Sequence, residues 1–168
     1  MYRTLAEAAA NCTRNITAGL DPVLTNDSRH RIPPVLSRED RLNSLLEDLQ
    51  DRDNGKRVAA ICQVAELGAH GAAAIPTLIN SLDDSDWVVR VAAITALGEM
   101  GDNAAEAVPA LIEALDKEDV CVSAAIALGR IGPVAKEAIE PLRNLSRRKQ
   151  GFDCWCAEEA LRLITARS

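Results

Sequence analysis

The sequence has few of the features on which several classes of protein depend. Only 2% of its 168 residues are aromatic, and two are histidine. No apolar run reaches the roughly 18 residues that a membrane-spanning helix needs, so no membrane contact is expected. Residues 1–7 lack the continuous apolar stretch of a signal peptide, and we therefore expect a cytoplasmic protein.

Recognisable catalytic and cofactor motifs are also missing. His30 and His70 stand near no serine, cysteine or carboxylate in a triad arrangement, and there is no glycine-rich phosphate loop. The net charge of -6 argues against a nucleic-acid partner, because phosphate binding needs clustered lysine and arginine. The sequence therefore predicts no catalytic residue, no metal site and no cofactor.

Disulfide bonds are not expected either. The cysteines are odd in number and irregular in spacing, which is typical of thiols in a reducing compartment: Cys12, Cys62, Cys121, Cys154 and Cys156. On a helix the side chains of Cys154 and Cys156 point about 200° apart, so they share neither a metal ion nor a disulfide bond.

The sequence repeats itself with a period of just over 30 residues. Residues 58–61 match residues 91–94 after a shift of 33 positions, and Gly68 falls on Gly101. A shift of 31 positions then brings residues 96–98 onto residues 127–129. A fixed period in this range is the signature of a stacked repeat protein.

Hydrophobic spacing divides the repeats into four pairs of helices. The predicted pairs are 37–49 with 57–67, 73–82 with 87–99, 105–115 with 118–130, and 135–148 with 153–166. Gly68, Gly101 and Gly132 follow second helices, where a left-handed residue ends a helix well. Residues 37–168 are thus predicted to form the repeat domain, and residues 1–36 an N-terminal extension with a candidate capping helix and a linker.

The repeats resemble HEAT repeats, specifically the short HEAT-like type found in phycobilisome bilin lyases. Ala-Val-Pro-Ala-Leu-Ile-Glu-Ala-Leu at 107–115 matches the first helix of that pattern, and residues 89–90, 96–98 and 100–101 match the second. The resemblance implies an all-α fold, a right-handed α-solenoid of about four HEAT-like repeats whose second helices line the concave face.

The sequence departs from the family pattern in its later repeats. The arginine of the second helix is present as Arg57 and Arg90, but cysteine takes its place in repeats three and four. In the last repeat Arg162 and Thr165 replace two glycines. This replacement is expected for the end of a stack, whose outer side faces water.

A partner-binding surface is predicted on the outward stripe of the second helices. It consists of Trp87, Val91, Thr95, Glu99, Val122, Ile126, Arg130, Trp155 and Glu159. Tryptophan is a preferred anchor at interfaces, which favours a binding role for the two tryptophans. The alternative is structural: Trp87 caps the start of a helix, and Trp155 packs into the end repeat.

These features predict a non-catalytic scaffold or adaptor that binds another protein through the concave face. The alternative is a bilin lyase-like subunit or chaperone that handles a linear tetrapyrrole in the same groove. A separate basic patch contains Arg143, Arg147, Arg148 and Lys149. Two interpretations of this patch stay open: contact with an acidic partner or nucleic acid, and a solvated helix face.

Overall fold

The structure, a computed structural model, describes residues 37–148 and 151–166. Within these ranges the chain forms α-helices and 3-10 helices and contains no β-strand. The α-helices are α1 Arg38–Asp48, α2 Asn54–Glu66, α3 Ile75–Asn80, α4 Trp87–Glu99, α5 Val108–Ala114, α6 Cys121–Ile131, α7 Ile139–Arg148 and α8 Phe152–Thr165. The predicted extension over residues 1–36, with its candidate helix, lies outside the described residues.

The helices pair in the predicted order, α1 with α2, α3 with α4, α5 with α6 and α7 with α8. The second helices α2, α4, α6 and α8 pack side by side and form one layer. Each of α3, α5 and α7 follows a 3-10 helix in the other layer. The predicted all-α solenoid is therefore confirmed.

Helix ends agree with the sequence signals at most positions. Gly68, Gly101 and Gly132 follow second helices with φ values of 54°, 57° and 76°, which L-residues rarely adopt. Ser37 caps α1 in a reciprocal capping box with Asp40. The repeated glycines and this cap therefore have the predicted structural roles.

Some helix boundaries differ from the prediction for local reasons. The α-helices α3, α5 and α7 begin later than predicted, because the 3-10 segments Gly68–Ala74, Gly101–Ala107 and Gly132–Ala138 precede them. The second helix of repeat three begins at Cys121 rather than residue 118. Residues 118–120 form a turn in which the Lys117 carbonyl accepts hydrogen bonds from the Val120 and Cys121 backbone N–H groups. By contrast, α2 begins earlier than predicted, at Asn54 rather than residue 57. The Asp53 side chain caps it by accepting a hydrogen bond from the Lys56 backbone N–H.

Small residues bring the second helices into close contact. A Cβ atom added to Gly98 would lie 2.9 Å from the Ala127 Cα, and one added to Gly129 would lie 3.0 Å from the Ala160 Cα. The corresponding position in α8 is Arg162, which pairs with Glu159. A further helix could not approach α8 as closely at this position.

Arginines connect successive repeats at the N-terminal ends of the second helices. Arg57 donates to the carbonyls of Asp51 and Arg52 in its own turn and to the Asp84 carboxylate in the next turn, at 2.9, 3.2 and 2.8 Å. Arg90 repeats this pattern, with Asp119 as its carboxylate partner. In repeat three Cys121 stands in the arginine position, and the series of arginine contacts stops.

These contacts keep several carboxyl groups ionised. Burial raises the pKa of Asp84, but hydrogen bonds from Arg57 and from the Asp86 backbone N–H more than offset it and leave the pKa below its usual value. The hydrogen bond from Arg90 lowers the pKa of Asp119, and the hydrogen bond from Asn54 lowers that of Asp86. All three groups therefore favour the folded state in their charged forms.

We expect the free energy of unfolding to fall in acid. A carboxyl group whose pKa is lowered on folding stabilises the fold above its unfolded pKa, about 3.9 for aspartate, and this contribution disappears as the pH drops through the folded pKa. Urea unfolding between neutral pH and pH values below about 3 measures the effect. In an Asp119→Asn variant the acid-induced loss is expected to be smaller. A free energy of unfolding that stays constant or rises on acidification would contradict the expectation.

Candidate functional site

The second helices run in the same direction. At their N-terminal ends, Asn54 in α2 donates to Asp86 beside α4 at 2.5 Å. At the C-terminal ends, Arg130 in α6 pairs with Glu99 in α4 at 3.6 Å. The nine residues of the predicted binding surface, all on α4, α6 and α8, are called the second-helix face below.

The large side chains at three positions of the second-helix face are exposed to solvent. Trp87 is 51% exposed, Ile126 40% and Trp155 59%. Asp86, rather than Trp87, caps α4, because its carboxylate accepts the Val88 backbone N–H at 2.8 Å. Trp87 therefore does not cap the helix. Trp155 does not pack into the end repeat, because its side chain lies largely in solvent.

An aromatic pair extends the exposed surface on α8. The rings of Phe152 and Trp155 stack with their centroids 5.8 Å apart and an interplanar angle of 22°. Both side chains are exposed. Phe152 was not among the predicted residues, although its spacing of three residues from Trp155 places the two rings on one side of a helix.

Helix register decides which of these residues are neighbours. Because Gly98 lies beside Ala127 and Gly129 beside Ala160, Trp155 lies within about 3 Å of the axial level of Ile126 on the adjacent helix. Trp87 lies about 12 Å from the level of Trp155, towards the N-terminal ends of the helices. By the same count Trp155 lies equally close to the level of Val122, so it stands midway between Val122 and Ile126, whereas Trp87 lies at the edge of the face.

Half-buried and charged residues complete the face. Val91 and Val122 pack partly against the core, and the Thr95 hydroxyl donates to the Val91 carbonyl at 2.8 Å. Towards the C-terminal ends lie the Glu99–Arg130 pair and Glu159, which accepts from Arg162 Nε at 2.8 Å. The hydrogen bond from Arg162 lowers the pKa of Glu159. The arrangement is an apolar centre with an ionised edge, and its role in binding stays a prediction.

The thiols near this face are protonated or hydrogen-bonded. Burial, followed by the charges of Asp153 and Cys121, raises the pKa of Cys156 to about 11, so its thiol is not ionised at neutral pH. Cys154 Sγ donates to a carboxylate oxygen of Glu158 at 3.5 Å. Neither Cys154 nor Cys156 forms a disulfide bond, and Cys12 lies outside the described residues.

In residues 37–148 and 151–166, no group of three or more histidine, cysteine, aspartate and glutamate side chains is placed to hold a metal ion. In the same part of the chain, no helix combines the length and the apolar character needed to cross a membrane.

Comparisons with known proteins agree with this architecture. A family model described as HEAT repeats matches residues 42–126, and one described as PBS lyase HEAT-like repeat matches residues 120–148. The solved complex of CpcE and CpcF of phycocyanin lyase from Nostoc sp. PCC7120 is similar over 86% of this chain and 71% of that chain. The sequence identity is 22% and the TM-score 0.50, so this likeness concerns the fold. A search of curated proteins found no match. Since the HEAT repeat model spans half of the sequence, the chain belongs to the HEAT repeat family.

Proposed function

We propose that the protein is a non-catalytic scaffold or adaptor that binds another protein through the second-helix face. The observation that carries the proposal is that two large apolar side chains on adjacent helices, Ile126 and Trp155, are 40% and 59% exposed and lie within about 3 Å of the same axial level. Large exposed apolar side chains grouped on one surface are typical of interaction sites. The proposal includes a cytoplasmic location, where thiols such as those of Cys154 and Cys156 stay reduced.

A partner helix or loop would bury these side chains and be oriented by the charged edge. Full burial of a large apolar side chain at an interface contributes about 2–3 kcal/mol. The Glu99–Arg130 and Glu159–Arg162 pairs lie at the end of the face away from Trp87. A bound partner would therefore make apolar contacts along the face and charged contacts at that one end. Such charges fix the orientation of a complex more than its affinity.

The test compares a double variant, Trp87→Ala with Trp155→Ala, with the wild-type protein. A partner captured from native lysate is identified, purified and titrated against both proteins by calorimetry, after circular dichroism shows equal helix content. We expect the dissociation constant to rise at least about a hundredfold, because two anchors of roughly 2 kcal/mol each are lost.

Val134→Ala is the matched control for this experiment. Val134 is also an exposed apolar residue, but it lies in the 3-10 segment Gly132–Ala138, outside the second helices. Its replacement is expected to leave the affinity unchanged. Equal partner affinity of the double variant and the wild type would contradict the proposal, as would an equal loss in the control.

A second candidate function is that of a bilin lyase-like subunit or chaperone. The match of residues 120–148 to the PBS lyase HEAT-like repeat favours it. In that case a linear tetrapyrrole, rather than a protein segment, occupies the second-helix face. Mixing the protein with a linear tetrapyrrole would then change the pigment's visible absorbance, and the double variant would not. An unchanged spectrum would count against this second function and leave the scaffold proposal standing.

A further inference from the structure

The first-helix layer contains a groove that the proposed function does not use. It has a volume of about 600 Å³ and lies between α5 and α7. Its apolar part consists of Ile112 and Leu115 on one side and Pro141 on the other. Concave sites of this size, with apolar walls and a few polar groups, are typical of binding sites.

Positive charge is concentrated at the edge of this groove. Helix α7 contains one glutamate and three arginines, so its side chains carry a net charge of +2 in a protein whose total is -6. Arg147 and Arg148 both line the groove, together with Asn144 and one carboxylate, Asp116. Two residues of the basic patch noted in the sequence, Arg147 and Arg148, therefore lie at the polar edge of a groove with apolar walls, and Lys149 lies outside the described residues.

The arginines of α7 differ in whether a carboxylate already neutralises them. Arg148 pairs with Asp116 at 2.9 Å, and Arg143 pairs with Glu140. Within residues 37–148 and 151–166, Arg147 forms neither an ion pair nor a hydrogen bond through its side chain. The groove thus has one guanidinium whose charge is not compensated.

We propose that this groove binds an extended segment of a partner protein in which a carboxylate side chain lies next to apolar side chains. The planar guanidinium of Arg147 offers two parallel N–H donors that match a carboxylate. The side-chain amide of Asn144, one turn earlier on α7, offers a further donor. Apolar side chains of the segment pack on Ile112, Leu115 and Pro141, which lie beside these donors.

Charge and wall composition favour a peptide over a nucleic acid. A nucleic-acid surface needs several cations that are free to contact successive phosphates. Here acids of the same chain already neutralise Arg143 and Arg148. Among the described residues that line the groove, Arg147 is the one cation without a carboxylate partner, and beside apolar walls it fits one carboxylate with apolar neighbours.

The test uses two short fluorescent peptides, one of alternating leucine and aspartate and one in which asparagine replaces each aspartate. Fluorescence anisotropy measures their affinity for the wild type and for Arg147→Gln and Arg143→Gln variants. Arg143→Gln is the matched control, because Arg143 is on the same helix but is paired and does not line the groove. We expect the wild type to bind the acidic peptide at least about tenfold more tightly than the amide peptide. Arg147→Gln is expected to abolish this preference, and Arg143→Gln to keep it within about twofold.

Several outcomes would overturn the proposal. These are equal affinity of the two peptides for the wild type, no saturable binding of the acidic peptide, and equal losses in the two variants. Displacement of the peptide by an equal concentration of acetate would assign the site to a small anion instead. Tighter binding of single-stranded oligothymidine than of the acidic peptide, with a steep salt dependence, would assign it to nucleic acid. Circular dichroism checks that both variants, changed at exposed positions, remain folded.

Discussion

A Gly98→Val variant is expected to lose about 3 kcal/mol of its free energy of unfolding. Gly98 is buried in α4, and any Cβ at this position would lie 2.9 Å from the Ala127 Cα and 3.0 Å from the Ala127 Cβ in α6. Backbone atoms cannot rotate out of the way as a long side chain can, so the two helices must separate. The separation costs packing along the whole contact, which outweighs the few tenths of a kcal/mol by which valine is a better helix former than glycine.

Urea unfolding followed by circular dichroism measures this loss, and Gly55→Val is the matched control. Gly55 is also helical, but it is exposed in α2, and an added Cβ would meet only a side-chain oxygen of Asp53, at 3.0 Å. Because that oxygen also accepts the Lys56 backbone N–H at the start of α2, we expect at most the loss of this cap, about 1 kcal/mol. If Gly98→Val unfolded within about 0.5 kcal/mol of the wild type, the close contact between α4 and α6 would not be what stabilises the stack.

The existence and order of the helices followed from the sequence because they depend on local rules. Repeated glycines and hydrophobic spacing predicted the pairs, and α4 spans Trp87–Glu99, as expected. The 3-10 segments before α3, α5 and α7 were not predicted. Apolar spacing reports which side of a helix is buried, but it does not distinguish a tightly wound 3-10 turn from the first turn of an α-helix.

The exposure of the largest side chains of the candidate site was predictable from the sequence, but the geometry of the site was not. Periodicity assigns outward positions on each helix, and Trp87, Ile126 and Trp155 are indeed exposed. The repeat makes Gly129 equivalent to Gly98, yet the residue in contact with Gly98 is Ala127, two positions earlier. This axial offset comes from packing between helices and moves Trp155 from the expected level of Val122 towards Ile126. The groove that Arg147 lines likewise depends on packing between α5 and α7, whereas the stacked Phe152–Trp155 pair follows from a spacing of three residues within α8.

The second large effect is expected at Arg57, where an Arg57→Met variant should lose about 3 kcal/mol of its free energy of unfolding. The side chains of Arg57 and Asp84 are only 13% and 15% exposed. Removing the guanidinium leaves the Asp84 carboxylate without its cation and removes donors from two carbonyls of the preceding turn. Unfolding in urea measures the loss.

The neighbouring Lys56→Met variant is the control for charge. Lys56 pairs with Asp51 at 2.9 Å, but its side chain is 61% exposed, so water screens the pair. Removing it is expected to change the free energy of unfolding by less than about 0.5 kcal/mol. Equal losses in the two variants would show that charge alone, rather than the partly buried contacts of Arg57, accounts for the effect.

Hydrogen exchange can show where the stability is lost in Arg57→Met. Arg57 joins the turn between α1 and α2 to the turn before α4, and in a linear stack each repeat is stabilised mainly by its neighbour. Weakening this contact should therefore let α1 and α2 open without the rest, with faster amide exchange there and retained protection in α6 and α8. A uniform increase in exchange across all four second helices would instead mean that the stack unfolds as one cooperative unit, in which Arg57 contributes no more to the first repeat than to the last.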